Sequence, residues 1–205
     1  MYERFEESVY DIDLWIKEAR KLGYKKIILM GHSLGCNKVI HYYTKSKHPL
    51  LAGIIFASPP DLLALAKLKR YQPNYEEMIQ EAKENLKKNE PRKLLTSLLW
   101  KWYLLSSQTF LDLFEEGCSA DNLPFLRNPD TWTELGKIDV PVLAFMSGKD
   151  DVVIRSLEED LALIKKKAVH CPKFDTAVLK GANHVYGNKE KELSRMILAW
   201  LKRLS

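Results

Sequence analysis

The stretch Gly31-His32-Ser33-Leu34-Gly35 limits what this chain can fold into more than any other feature. It follows directly on residues 27–30, an apolar Ile-Ile-Leu-Met run of strand length, and it opens a segment with helical patterning that extends to about Tyr43. A glycine-x-serine-x-glycine match arises by chance in about 0.1 of chains of this length at ordinary residue usage, so its position matters more than its presence. At a strand-to-helix junction the chain turns so tightly that the serine backbone is strained, and the glycines two residues to either side relieve the crowding. The hydroxyl then projects above the C-terminal edge of the sheet. The N–H of Leu34, at the helix N-terminus, can face a developing oxyanion. The simpler reading of the same residues is a glycine-rich turn with a helix-capping serine.

The rest of the chain supplies a frame for such a turn. Phe5, Val9, Ile12, Ile16 and Ala19 recur at spacings of four and three and predict a helix over 4–22, ended by Gly23. Apolar runs at 53–57, 140–146 and 174–179 predict three further strands, the first stopped by Ser58-Pro59-Pro60. Ser156 and Glu159 form a capping box that opens a helix to about Lys167, and residues 189–204 form a closing helix with Leu193, Ile197, Trp200 and Leu201 inward. Strands alternating with helices predict an α/β fold with a parallel, doubly wound sheet. Residues 61–137 break the alternation. They hold helical patterns near 62–68, 75–86, 94–105 and 110–114, too long for a connecting loop, and are expected to form an inserted helical cap. The core is then 1–60 together with 138–205.

A serine hydroxyl is a weak nucleophile at neutral pH, so a reactive Ser33 needs a histidine base held by a carboxylate. Both follow in the order Ser, Asp, His. The strand at 140–146 runs into Ser147-Gly148-Lys149-Asp150-Asp151, where one of the two aspartates can orient the base, and the last strand runs into Gly181-Ala182-Asn183-His184. His184 is the base candidate. His41 and His48 fall on or just after the helix behind the serine, and His170 precedes a strand. His32 is expected to pack, because adjacent residues do not share a face. No histidine pair has the spacing of a helical metal site, so neither a metal nor another cofactor is expected.

With GHSLG as elbow, PVLAFMSGKDDVV as acid strand and loop, and GANH as histidine loop, the chain resembles the α/β-hydrolase superfamily over nearly its whole length. The resemblance implies a serine hydrolase acting through Ser33, His184 and Asp150, with the Leu34 N–H as oxyanion donor, Gly31 and Gly35 as elbow glycines and 61–137 as the cap. Counting along the strand from Pro141 chooses Asp150; counting from Gly148 chooses Asp151. Around GHSLGCNKVIHYY the chain is more loosely similar to small bacterial hydrolases related to fungal siderophore esterases. Members usually place strands and an HG-type loop ahead of the elbow. None stands upstream of Gly31, so the resemblance implies the C-terminal part of the family sheet, with an exposed edge at the 27–30 strand that invites self-association or a partner. Two outcomes follow: an esterase, thioesterase or amidase in its own right, or a non-catalytic fragment or partner subunit that needs a missing N-terminal half.

Composition narrows the partners. The 205 residues suit one domain carrying an insertion, and the 46% hydrophobic fraction can bury one sizeable core. The formal charge of +5 comes from lysines scattered among glutamates, which argues against a nucleic-acid role. Cys36, Cys118 and Cys171 form no disulfide or zinc pattern, the N-terminus is not laid out as a signal peptide, and no apolar run approaches the ~20 residues of a membrane span. A cytoplasmic enzyme with a small acyl substrate is expected. Leu98, Leu99, Trp102, Tyr103, Phe110, Phe114 and Phe125 give the cap apolar bulk, suited to an ester with an apolar side or to the cap's own core.

Overall fold

The computed structural model describes residues 1–149 and 154–204. Its centre is a parallel sheet of four strands, β1 (Ile27–His32), β2 (Leu51–Ala57), β3 (Val142–Ser147) and β4 (Phe174–Leu179), adjacent in that order. Leu29 sits beside Ile54, Ile54 beside Val142, and Phe145 beside Ala177. The two central strands are buried almost throughout, as expected of a parallel sheet covered on both faces. Alternation along β2 sorts its side chains. Ile54 and Phe56 join one core beneath helices α1 (Ser8–Lys21), α2 (Leu34–Ser46) and α6 (Leu157–Lys167), while Ile55 and Ala57 join another beneath α7 (Glu190–Leu201). Trp200 of α7 and Phe145 of β3 anchor the second core.

The first helix divides its duties. Val9, Ile12 and Ile16 pack on the sheet core, but Phe5 lies in a short 3-10 turn ahead of α1 and packs into a different cluster, that of the 61–137 segment. There its ring lies 5.2 Å from that of His41, which is buried on α2. Burial, reinforced by Lys45 and opposed by Glu6, pushes the His41 imidazole below the ordinary histidine value. A histidine whose pKa is depressed on folding binds fewer protons in the folded state than in the unfolded one, so its contribution falls as pH drops below the unfolded value of about 6.5. Thermal melts at pH 7.5 and pH 5 are therefore expected to show an acid loss of stability that is smaller in His41→Phe, which keeps a ring against Phe5.

Between β2 and β3 come α3 (Leu62–Lys67), α4 (Tyr75–Lys87) and α5 (Ser107–Phe114), then a 3-10 turn at Glu134–Lys137. Side-chain caps start two of them: Asp61 accepts from Ala64 N at 3.0 Å, and Ser106 accepts from Thr109 N at 3.3 Å. Residues 94–105, where a helix was expected, are a hairpin instead. Leu94 bridges Ser106 and Leu99 bridges Tyr103, both antiparallel, around a turn in which Trp100 and Lys101 have φ of 49° and 66°. The leucine spacing that mimics a helix puts Leu95, Leu99 and Leu105 into the segment's own core. Side chains from elsewhere take up the backbone groups a helix would have paired. Gln72 accepts the Trp100 N–H at 2.6 Å and donates to the Leu98 carbonyl at 3.3 Å, and Glu81 accepts the Thr96 N–H at 2.9 Å.

This segment is tied to the sheet layer from several sides. Asn122 donates to the Asn37 carbonyl of α2 at 2.9 Å, and Asn37 donates to the Ala120 carbonyl at 3.0 Å. Leu34, the first residue of α2, packs against the segment's core, as does Trp100.

Candidate active site

The chain leaves β1 through a turn with one strained residue. Ser33 has φ 53° and ψ −126°, a conformation that costs a non-glycine residue of the order of 1–3 kcal/mol. The surroundings hold it there. Its N–H continues the sheet ladder to the Ala57 carbonyl at 2.9 Å, and its carbonyl accepts from Cys36 N at 2.8 Å inside the first turn of α2. The two glycines of the motif differ. A Cβ on Gly31 would lie 2.4 Å from the Gly35 carbonyl oxygen, so that position admits only glycine, whereas a Cβ on Gly35 would meet nothing within 4 Å. The crowding expected at both glycines thus falls on Gly31 alone. Beneath the turn, the buried Cys36 thiol has the Gly31 and Ala57 carbonyls as acceptors for its single S–H, with Sγ at 3.2 and 3.4 Å from them. Burial raises its pKa and keeps it neutral. Leu34 opens α2, so its N–H belongs to the first turn, which no carbonyl of that helix can reach.

His184 follows β4, at the opposite edge of the sheet from β1. The loop must therefore span three strand spacings, roughly 14 Å, to approach Ser33. It does so across the ends of β3 and β2. The Ala182 carbonyl accepts the Lys149 N–H at 2.8 Å, and Tyr186, with φ 58°, places its hydroxyl 2.7 Å from Ser58 Oγ at the end of β2. The loop finishes on His32: its ring centroid lies 5.0 Å from that of His184, and its Nε2 donates to the His184 carbonyl at 2.8 Å. The residue next to Ser33 and the expected base are thus in contact. Asp150 and Asp151 lie outside the described residues. Lys149, immediately before them, is joined to the histidine loop two residues from His184.

His32, expected to pack away from the site, is instead exposed, with its ring against those of His184 and Tyr186; this contact was not legible in sequence, because it joins residues 152 positions apart. The other histidines are engaged elsewhere. His41 is buried against Phe5, His48 Nδ1 accepts from Leu50 N at 3.2 Å, and His170 bonds the Gly136 carbonyl. Sequence reasoning also missed Ser58, whose φ of 47° makes it a second strained serine at a strand end; its hydroxyl faces Tyr186 and Ser147. Ser58-Pro59-Pro60 had signalled only the end of a strand. A cavity of about 40 Å³ beyond β2 and β3, bordered by Ser58, Asp61, Leu126, Met146 and Asp160, has room for little more than water and includes neither Ser33 nor His184. Among the described residues, no cluster of His, Cys, Asp or Glu is placed to hold a metal ion, and no helix is long and apolar enough to cross a membrane.

Comparison with known proteins agrees with this architecture. The chain is similar to the monoacylglycerol lipase of Paleococcus ferrophilus, at 25% identity and a TM-score of 0.64 over 99% of this chain and 77% of the lipase. It is also similar to a soluble variant of monoglyceride lipase from Saccharomyces cerevisiae, at 17% identity and a TM-score of 0.64 over 98% of this chain and 69% of that one. For Est1E from Butyrivibrio proteoclasticus the figures are 16%, 0.60, 98% and 71%. The phospholipase YtpA of Bacillus subtilis strain 168 is 34% identical over 55 residues, 27% of this chain, and the match spans 21% of YtpA. The profile of the DUF1749 family, described as a protein of unknown function, matches residues 5–202. The chain has the α/β-hydrolase fold and belongs to the DUF1749 family.

Proposed function

We propose that the protein is a serine hydrolase of carboxylic esters. Ser33 attacks the ester carbonyl, His184 takes its proton and returns it to the leaving alcohol, and water then releases the acyl group by the same route. Asp150 orients His184, with Asp151 as the alternative, and the Leu34 N–H stabilises the oxyanion. The observation that carries this reading is the strained turn at Ser33 together with the histidine loop that reaches across the sheet to its neighbour His32. Esterases and lipases among the structural neighbours support an ester as substrate. Residues 61–137 act as the cap over a core of 1–60 and 138–205, since the segment's core packs on Leu34 beside the serine. Leu99, Phe110 and Phe114 fill the segment's own core, and the apolar Leu34 beside Ser33 favours a small acyl or aryl ester with an apolar side over a charged one.

Labelling of the purified chain with a fluorophosphonate tests the reading. Stoichiometric modification located at Ser33 by mass spectrometry, lost in Ser33→Ala and lowered in His184→Ala, is the expected result. A folded, monodisperse sample that takes up no label would overturn it for the chain alone. One observation favours a second reading, in which the site needs a polypeptide that adds a strand to β1. Met30 on that edge strand and Tyr24 just before it are exposed, as are Tyr10, Leu14 and Trp15 of α1, Trp15 by 76%. Under that reading labelling appears only once such a polypeptide is supplied.

A further inference from the structure

The 94–105 hairpin has an inner and an outer side of opposite character. Inward, Leu99 is buried and Trp100 meets Phe114 edge-on at 5.7 Å, in the core that also packs on Leu34. Outward, Trp102 is 83% exposed at the tip, with Leu98, Tyr103 and Leu104 each exposed by 40–49%. The tip is built rather than loose. The Leu99–Tyr103 bridge closes it, two consecutive residues with positive φ form its turn, and the Gln72 side chain clamps it through Trp100 N and Leu98 O. A fixed turn that presents tryptophan, tyrosine and leucine to water loses free energy unless something apolar receives them.

Charge around the tip points to the receiver. Gln72 brings the 69–72 turn against the hairpin that carries Lys101; Lys69 and Lys101 are exposed cations, while the Arg70 guanidinium lies over the Tyr71 ring, 4.8 Å from its centroid. Residues 62–75 and 91–111, the two stretches that meet here, contain no Asp or Glu, although the chain as a whole has 27; the acid that reaches the hairpin, Glu81, is taken up by the N–H and hydroxyl of Thr96 at its base. Exposed aromatic side chains on a segment that also presents lysine match the boundary between lipid headgroups and acyl chains, where amphipathic rings settle and cations meet phosphate. A protein partner fits less well. A specific interface takes roughly 20–30 residues a side, and this projection offers about six large ones.

We propose that the hairpin docks the protein onto an anionic phospholipid surface, with Trp102 entering the headgroup boundary and Lys101 and Lys69 facing the lipid phosphates. The inference does not depend on the catalytic reading, because docking requires neither Ser33 nor His184. In flotation with vesicles of phosphatidylcholine and phosphatidylserine at 7:3 and low salt, the full chain is expected to bind at least tenfold better than to phosphatidylcholine alone. Trp102→Ala, at a position too exposed to matter for folding, lowers binding at least tenfold. Lys101→Glu with Lys69→Glu does the same at low salt and differs little from the parent at 1 M salt, where charges are screened. Brominated lipid quenches the parent's tryptophan emission more strongly than that of Trp102→Ala. Failure of the folded chain to bind anionic vesicles, or undiminished binding by Trp102→Ala, overturns the proposal. So does a concentration-dependent dimer that Trp102→Ala dissolves in the absence of vesicles, which would make a second copy the occupant of the tip.

Discussion

Ser33→Ala is expected to lower turnover of a short-chain ester by roughly 10⁴–10⁶-fold, and Gly31→Ala to approach that loss with the serine still present. The second effect follows from geometry. A methyl on Gly31 would lie 2.4 Å from the Gly35 carbonyl oxygen, 2.5 Å from its carbon and 2.6 Å from Cys36 N, all backbone atoms of the first turn of α2. No rotamer change can relieve such contacts, so β1 and α2 must move apart. That movement breaks the Cys36 thiol bond to the Gly31 carbonyl and releases Ser33 from φ 53°. The hydroxyl and the Leu34 N–H then no longer converge on one carbonyl, and displacement by even 1 Å is costly in catalysis. Overpacking of this kind should also remove about 1–3 kcal/mol of stability. Gly35→Ala is the control. Its Cβ meets nothing within 4 Å, and alanine suits a helix better than glycine, so stability is expected to hold or rise by up to about 1 kcal/mol while labelling of Ser33 is retained. Denaturant unfolding and fluorophosphonate labelling rates, run side by side on the two variants, check both halves.

What the sequence revealed of this site and what it hid divide along physical lines. The β1 run, the glycine-x-serine-x-glycine turn and the order of strands are local patterns, and the sheet follows from them almost residue for residue, with β4 at Phe174–Leu179 as expected. The 94–105 hairpin was hidden because leucines three and four apart satisfy a helix as well as two facing strands. The choice between the two was made by Gln72 and Glu81, distant residues that take up its backbone groups. The contact between His32 and His184 was hidden for a related reason. A strand's alternation tells which face a side chain takes, but not that a loop from the far edge will travel over two strand ends to meet it. Strain at Ser33 could be anticipated from its flanking glycines. The same strain at Ser58 has no glycine on either side to announce it.

Asp61→Ala is expected to cost about 3–5 kcal/mol, more than most single changes in a chain of this size. Asp61 is 1% exposed and lies where the chain leaves the sheet for the 61–137 segment. One oxygen accepts from Ala64 N at 3.0 Å and from Arg127 Nε at 2.9 Å; the other accepts from Leu126 N at 3.0 Å. A single carboxylate thus caps α3 and draws the far end of the segment back to its beginning, closing a loop of more than sixty residues. Alanine removes the acceptor of the half-buried Leu126 N–H and strips Arg127 of one of its two carboxylates, Asp121 being the other. Asp61→Asn keeps the shape and one acceptor oxygen but not the charge, so a loss of about 1–3 kcal/mol is expected for it. Because the segment rests on Leu34, the loosened variant should react with fluorophosphonate differently from the parent even under conditions where it remains folded. Stability lost with unchanged labelling would mean that the segment and the Ser33 turn move independently, and the segment would then have to be positioned by the bonds of Asn122 and Ala120 to Asn37 of α2 instead.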